Sequence, residues 1–246
     1  MASTDIRTAI VTGASRGIGA AIAERLAHDG LAVVVNYAGG REEAEALVRR
    51  IEAAGGRATT APADVSDPAA VARLFEAAEV AFGGVDVLVN NAGVMQLAAL
   101  RDSDDAFFDR QVAINLKGAF NGLREAARRL RDGGRIVSLS SSVVATRPET
   151  YGVYAATKAA VEALTAILAK ELRGRGITVN AIAPGPVATS LFLEGKPQEL
   201  VERMAKASPL ERLGTPEDIS AAVAFLVGPD GGWINGQVLR ANGGLV

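Results

Sequence analysis

Short runs rich in valine and isoleucine alternate with amphipathic stretches along the whole chain, and this alternation most narrows the folds open to it. The runs are "TAIVTG", "LAVVVNY", "RATTAPADV", "VDVLVNNAG", "GRIVSLSSS", "GITVNAIAPG" and "GQVLRANGG". Strands that are apolar almost throughout must be covered on both faces. The stretches between them, such as "GIGAAIAERLAHDG", "REEAEALVRRIEAAGG" and "DPAAVARLFEAAEVAFGG", carry the apolar spacing of helices. Strand–helix repeats of this kind build a parallel sheet with right-handed crossovers. The expected fold class is α/β: a single-domain, doubly wound parallel sheet of Rossmann type with helices on both faces. No linker or low-complexity stretch divides the chain, so residues 1–246 read as one domain. The proline-rich part after the sixth strand, about residues 186–215, is expected to form a lid over the strand ends, with "QELVERMAKA" as a short helix.

Composition removes several classes of function. With 49% hydrophobic and 22% charged residues and a net charge of -2, the chain reads as globular and has no basic excess for nucleic acid. Apolar runs are broken by Gly, Pro or charges before they reach a membrane-spanning length, so no membrane partner is expected. The lead "MASTDIRTAIVTG" runs directly into a strand without the pattern of a signal peptide, which makes a cytoplasmic location the expectation. Cysteine is absent, and the single histidine, His28, stands just before Gly30 at a helix end, where a cation suits the helix dipole. Metal sites and histidine-based triads are therefore not expected, and acid–base chemistry needs another side chain.

"VTGASRGIGAAIAERLA" places Gly13, Gly17 and Gly19 between the first strand and the first helix. Glycine lets backbone N–H groups approach a pyrophosphate at a helix N-terminus. At the end of the second strand the residues are Asn36, Tyr37, Ala38, Gly39, Gly40 and Arg41, with no carboxylate until Glu42. An acidic residue there is what binds the free ribose hydroxyls of NAD. Its absence, and Arg16 inside the glycine turn as a fork of donors for a 2′-phosphate, favour NADP(H) over NAD(H). Arg41 has two readings, a phosphate ligand or the partner of a following Glu on the helix surface.

The chain contains three tyrosines, and two of them fall in "YGVYAATKAA". Tyr154 and Lys158 are spaced to share one face of a helix. A nearby ammonium favours the phenolate, and lowering a phenol from about 10 to about 7 corresponds to roughly 4 kcal/mol. The expectation is that Lys158, together with the positive charge of a bound nicotinamide, lowers the pKa of Tyr154 and makes it a general acid toward a carbonyl oxygen. Ser140, Ser141 and Ser142 end the fifth strand, and each is open to two readings: the donor that holds this oxygen, or a turn serine.

Taken together, these motifs resemble the classical short-chain dehydrogenase/reductase family nearly from end to end. "TGASRGIG", Asp64–Val65, the N-N-A-G run Asn90 to Gly93, Asn115 in "INLKGAF", Tyr154–Lys158 and Pro184–Gly185 occur in the family's order and spacing. The resemblance implies an NAD(P)-binding catalytic domain with the tetrad Asn115, Ser141, Tyr154 and Lys158. In it Tyr154 protonates the carbonyl oxygen, Lys158 holds the nicotinamide ribose, and Asn115 positions a water that links Lys158 to solvent. Implied cofactor contacts are Gly13, Ser15, Arg16, Gly17, Ile18 and Gly19; Asn36, Tyr37 and Ala38; Asp64 and Val65; Asn91, Ala92 and Gly93; Tyr154 and Lys158; Pro184, Gly185 and Val187; and Thr189 at the carboxamide. The serine is assigned to Ser141 rather than Ser142 on its place at the strand end. Tyr151 is not the acid, since the residue four further on is Ala155, and it is expected to line or pack beside the substrate pocket. One departure is Asn242 before two glycines, where the family often has aspartate.

Among family members the chain looks most like 3-oxoacyl-thioester reductases, with reductases of small ketones, sugars or alcohols as the alternative. The expected reaction is NADPH-dependent reduction of a ketone to a secondary alcohol. For a thioester substrate the implied partner is an acyl carrier protein, and Arg128, Arg129, Arg131, Arg173 and Arg175 are the candidate contacts. The same arginines are ordinary on solvated helix ends. The family also implies a homotetramer. A dinucleotide-binding sensor without turnover is the reading from another class, opposed by the complete tetrad.

Overall fold

A computed structural model of the chain describes residues 6–246; the polar lead, residues 1–5, lies outside the described residues. All seven expected strands form: β1 (Thr8–Val11), β2 (Ala32–Tyr37), β3 (Arg57–Pro62), β4 (Val85–Asn90), β5 (Leu130–Leu139), β6 (Thr178–Pro184) and β7 (Val238–Ala241). They make one sheet in the order β3-β2-β1-β4-β5-β6-β7, and every pairing is parallel. The chain winds outward from β1 in one direction and from β4 in the other. Between these two strands the loops part, and in such sheets the crevice at their C-terminal ends receives the ligand.

Alternation along the strands divides the core into two layers. Ala9, Val11, Val33, Val35, Val87 and Val89 face one side, against Ile22 and Leu26 of α1 (Gly17–His28), Leu47 and Ile51 of α2 (Arg41–Ala53), and Ile219 and Val223 of α10 (Pro216–Val227). Ile10, Val34, Leu88 and Ile136 face the other, against Leu74 and Phe75 of α3 (Pro68–Phe82), Leu123 and Ala126 of α5 (Gly118–Arg129), and Leu168 of α7 (Gly152–Glu171). Burying one such side chain is worth roughly 1.5–3 kcal/mol, several times any helix propensity, so packing on the sheet holds these helices. Shorter helices complete the set: α4 (Asp105–Gln111), α6 (Val143–Thr146), α8 (Ser190–Leu193) and α9 (Gln198–Lys206).

Local signals set the boundaries. The Asp67 side chain accepts from Ala69 N–H to start α3, which stops at left-handed Gly83. Thr215 and Asp218 form a reciprocal capping box at α10. Strand β5 differs from the expectation. It begins at Leu130, earlier than "GRIVSLSSS", because Val85 pairs with Leu130 before the register shifts to Val87 opposite Arg135, with Gly133 at φ 79° in the irregular part. It ends at Leu139, so the three serines lie in the turn beyond it. A second difference concerns α7, which is long and apolar enough by length and composition to cross a membrane. Here it lies along the sheet, with Val153, Thr157, Lys158, Val161, Thr165 and Leu168 buried.

Candidate active site

A cleft of about 920 Å3 opens at the C-terminal ends of β1 and β4 and runs under α8 and α9. Every residue of the implied tetrad and cofactor contacts lines it except Asn115. The glycine turn is shaped by contact as well as by conformation. Gly13 has φ +60°, and a Cβ on it would stand 2.8 Å from Ala92 Cα. At Gly19 a Cβ would meet Asn91 Nδ2 and Gly13 O at 2.5 Å each. Asn91 braces this turn by donating from Nδ2 to Thr12 O (2.9 Å) and Gly13 O (3.0 Å). Asn36 braces it from the other side. Its Oδ1 accepts from Gly13 N–H (3.1 Å), while its Nδ2 donates to Ala61 O and Ala63 O (3.1 Å each). Asn36 and Asn91 therefore build the cofactor end of the cleft with side chains already hydrogen-bonded inside the protein.

The donor set fits a dinucleotide. Helix α1 starts with no side-chain cap and no acidic residue in its first turn, so its N-terminal N–H groups face the cleft with the positive end of the helix dipole. Arg16 is exposed beside them on the cleft wall. Thr189 stands across the cleft, its Cγ2 3.6 Å from where a Cβ on Gly17 would be. Arg41 takes the surface reading: it pairs with Glu45 at 2.6 Å and is not part of the cleft. The sequence reading overlooked Glu43, a carboxylate on the wall near Gly40 and Ser15. Its position in the first turn of α2 gave no motif signal.

At the other end of the cleft the acid–base groups meet. The Ser141 hydroxyl stands beside the Tyr154 hydroxyl and acts to lower its pKa. Its neighbours are committed elsewhere: Ser140 Oγ donates to Glu162 Oε1 (2.5 Å), and Ser142 Oγ donates to Ala183 O (3.2 Å). Geometry thus separates three serines that the sequence could not. Lys158 is 5% exposed; its Nζ donates to Leu139 O at 2.7 Å and lies 5.7 Å from the centre of the Tyr154 ring. Tyr151 lines the cleft edge-on to Tyr154, with ring centroids 6.4 Å apart.

In the protein alone, packing shifts Tyr154 in the direction opposite to the expectation. Burial pushes the phenol up to about 12; the Ser141 hydroxyl draws it back in part, and Tyr151 adds to the rise. Burial also pulls the Lys158 ammonium down to about 8. Loss of hydration disfavours both charged forms, and Lys158 turns toward a main-chain carbonyl rather than toward the phenol oxygen.

Asn115 sits behind the wall, 1% exposed, in a π-helical stretch from Val112 to Lys117. Its Oδ1 accepts from Val94 N–H (2.8 Å) and its Nδ2 donates to Val94 O (2.9 Å) and Thr157 Oγ1 (3.4 Å). The side chain therefore fastens the segment after β4 to α7, and both amide donors are committed there. A Cβ on Gly93 would lie 3.3 Å from Asn115 Oδ1 and 3.6 Å from Lys158 Nζ. Asn242 is more than a turn residue. Its Nδ2 donates to Ser142 Oγ (3.1 Å) and Val246 O (3.2 Å), and its Oδ1 accepts from Gly244 and Leu245 N–H (3.1 and 3.2 Å). Because Ser142 already donates to Ala183 O, it needs a donor here, which an amide supplies and a carboxylate does not.

The substrate end is walled mainly by apolar side chains that no motif announced, among them Val94, Met95, Val143, Leu191, Phe192, Met204 and Leu245, with Arg110 as a cation. The arginines considered for a carrier protein are largely engaged within the chain. Arg129 pairs with Glu79 (2.6 Å), Arg131 with Asp86 (3.3 Å), Arg175 with Asp132 (2.8 Å) and Arg128 with Glu125 (3.3 Å). Among the described residues, no group of His, Cys, Asp or Glu is arranged to hold a metal.

Replacing Ser141 by Ala is expected to lower kcat by about 10²–10³-fold, the usual loss for one donor to a developing oxyanion. Ser142→Ala should cost stability instead, with kcat close to that of the unaltered protein. Steady-state rates and melting temperatures of the two variants, measured side by side, check this.

Known proteins align with the chain over nearly its full length. The family model described as Enoyl-(Acyl carrier protein) reductase matches residues 13–246. A short-chain type dehydrogenase/reductase of Picea abies is 48% identical over 250 residues, covering 98% of this chain and 92% of that protein. A protein of Arabidopsis thaliana named as an NADPH-dependent aldehyde reductase-like protein, chloroplastic, is 45% identical over 254 residues, covering 98% of this chain and 94% of its own. Among solved structures, a short chain dehydrogenase from Burkholderia cenocepacia J2315 in complex with NADP superposes with a TM-score of 0.92 at 41% identity, covering 97% of each chain. With a chloroplastic protein among such similar sequences, the cytoplasmic expectation does not follow from kinship.

Proposed function

The chain belongs to the short-chain dehydrogenase/reductase family, and on that premise we propose that it is an NADPH-dependent reductase of ketones or aldehydes. The observation that carries this reading is the meeting of Ser141 and Tyr154 on the cleft wall, with Lys158 buried one turn further along α7. When bound, the nicotinamide supplies the hydride to the carbonyl carbon. The carbonyl oxygen is received by the two hydroxyls: Ser141 donates a hydrogen bond, and Tyr154 delivers its proton from the phenolic oxygen. A phenol held at about 12 is fully protonated at neutral pH, the state an acid needs in the direction of reduction. The Lys158 ammonium lies behind it, and the apolar wall excludes water from the reacting oxygen.

For the cofactor, the first turn of α1 with Gly13, Ser15, Gly17 and Ile18 would hold the pyrophosphate, Asp64 and Val65 the adenine side, and Arg16 the 2′-phosphate. The NADPH-dependent relative and the NADP-bound neighbour support this choice. Arg16→Glu is expected to raise the KM for NADPH at least about tenfold, the loss of one charge-assisted contact, with little change for NADH. An equal change for both cofactors would sink the assignment.

The substrate is a carbonyl compound with an apolar body, matched to Met95, Leu191, Phe192 and Met204. Residues about 186–215 act as the lid, since they supply the last three of these side chains and α9 buries none of its own. A 3-oxoacyl thioester is the second reading, favoured by the acyl-carrier-protein wording of the matching family model. The internal pairing of four of the five candidate arginines weighs against a carrier protein as partner. The homotetramer is the proposed assembly, supported by exposed Phe120 on α5 and Ile167 on α7. The test of function is NADPH oxidation with aromatic and aliphatic aldehydes and ketones beside acetoacetyl thioester. NADPH binding without turnover of any of them would overturn the enzyme reading.

A further inference from the structure

The face of α7 that carries Tyr154 and Lys158 continues for one more turn to Glu162, at the same four-residue step. Opposite it, three consecutive residues at the end of β5 and in the turn beyond each engage one of these side chains. Leu139 O accepts from Lys158 Nζ (2.7 Å), Ser140 Oγ donates to Glu162 Oε1 (2.5 Å), and the Ser141 hydroxyl meets that of Tyr154. The backbone on either side of Ser141 is tied to β6 as well: Ser140 N–H donates to Ile182 O (2.7 Å) and Ser142 N–H to Pro184 O (2.9 Å). Those bonds run toward β6 and do not set the distance to α7. Among the described residues, the Ser140–Glu162 bond is the side-chain link between this turn and α7 that uses neither Tyr154 nor Lys158.

We infer that Glu162 is a positioning residue: by holding Ser140 against α7, it fixes the separation of the Ser141 hydroxyl from that of Tyr154. The inference rests on the catalytic reading of Ser141 and Tyr154 given above. A hydrogen bond to a carboxylate is short and about twice as strong as a neutral one, and Ser140, 4% exposed, has no water to turn to if the carboxylate is removed. Without that bond the turn can shift away from α7, and a displacement near 1 Å at a reacting geometry costs on the order of 10²-fold in rate.

The test uses the NADPH-loaded enzyme with its best carbonyl substrate and compares Glu162→Ala, Glu162→Gln, Ser140→Ala and Ser141→Ala. Glu162→Ala is expected to lower kcat by about 10–10²-fold with the KM for NADPH unchanged. Glu162→Gln, whose amide oxygen still accepts from Ser140, should recover most of the rate. Ser140→Ala should reproduce the loss and stands in for Glu162→Ala if that variant does not fold. In a Ser141→Ala background, Glu162→Ala should add nothing, since the group it positions is gone. Wild-type kcat in both Glu162→Ala and Ser140→Ala would overturn the inference, as would a loss that persists undiminished in the Ser141→Ala background. If Ser141→Ala itself leaves kcat intact, the catalytic reading has failed, and the inference with it.

Discussion

Replacing Tyr154 by phenylalanine is expected to lower kcat for carbonyl reduction by about 10²–10⁴-fold, the range removed with a general acid, while NADPH binding stays the same. The ring keeps its packing and its edge contact with Tyr151, so only the proton donor is lost. The phenol is held up to about 12. Turnover and cofactor fluorescence titration, measured on the same preparation, check both halves of the prediction. Retained turnover would show that the proton comes from elsewhere.

Lys158→Met should give the second-largest effect, in two readouts that move in different ways. Activity is expected to fall by at least about 10²-fold, the lower range for loss of an acid–base group. The alkaline fall of kcat/KM that accompanies deprotonation of Lys158 near its value of about 8 should also vanish. Stability responds to the same shift with a definite sign. An amine whose folded value lies below its unfolded one binds fewer protons when folded, so the native protein gains stability as pH rises between the two values. From about pH 8 to pH 10, unaltered protein should gain on the variant by up to about 3 kcal/mol, the upper limit set by the size of the shift. Melting curves that keep a constant offset across this range would contradict the buried, depressed ammonium.

The fold was legible because period and burial coincide. Val33 and Val35 face one layer, Val34 the other, and a run apolar at every position admits few other arrangements. The start of β5 was not legible, since Gly133 and Gly134 read as a turn while Leu130 already pairs across them. Of the site, the glycine turn and the Tyr154–Lys158 pair were readable from spacing alone. The choice among three serines was not, because it depends on partners contributed by α7, β6 and the turn after β7: Glu162 for Ser140, Ala183 and Asn242 for Ser142. The direction of the Tyr154 shift escaped for a similar reason. Spacing shows that a lysine is near, but not that both groups lose hydration in the fold or that the ammonium bonds to Leu139 O. The arginines looked free in sequence because Glu79, Asp86 and Asp132 approach them from other segments.

The bracing by Asn36 has a consequence for how such a protein changes over generations. One amide holds the glycine turn to the ends of β2 and β3, so the exposed residues that follow, Ala38 and Gly39, carry none of that mechanical load. A Cβ at Gly39 would meet nothing within 4 Å. Scaffold and cleft wall are thus divided between adjacent positions. Substitutions at 38 or 39 can therefore change this part of the cleft wall without loosening the glycine turn, whereas Asn36 itself is closed to such exploration.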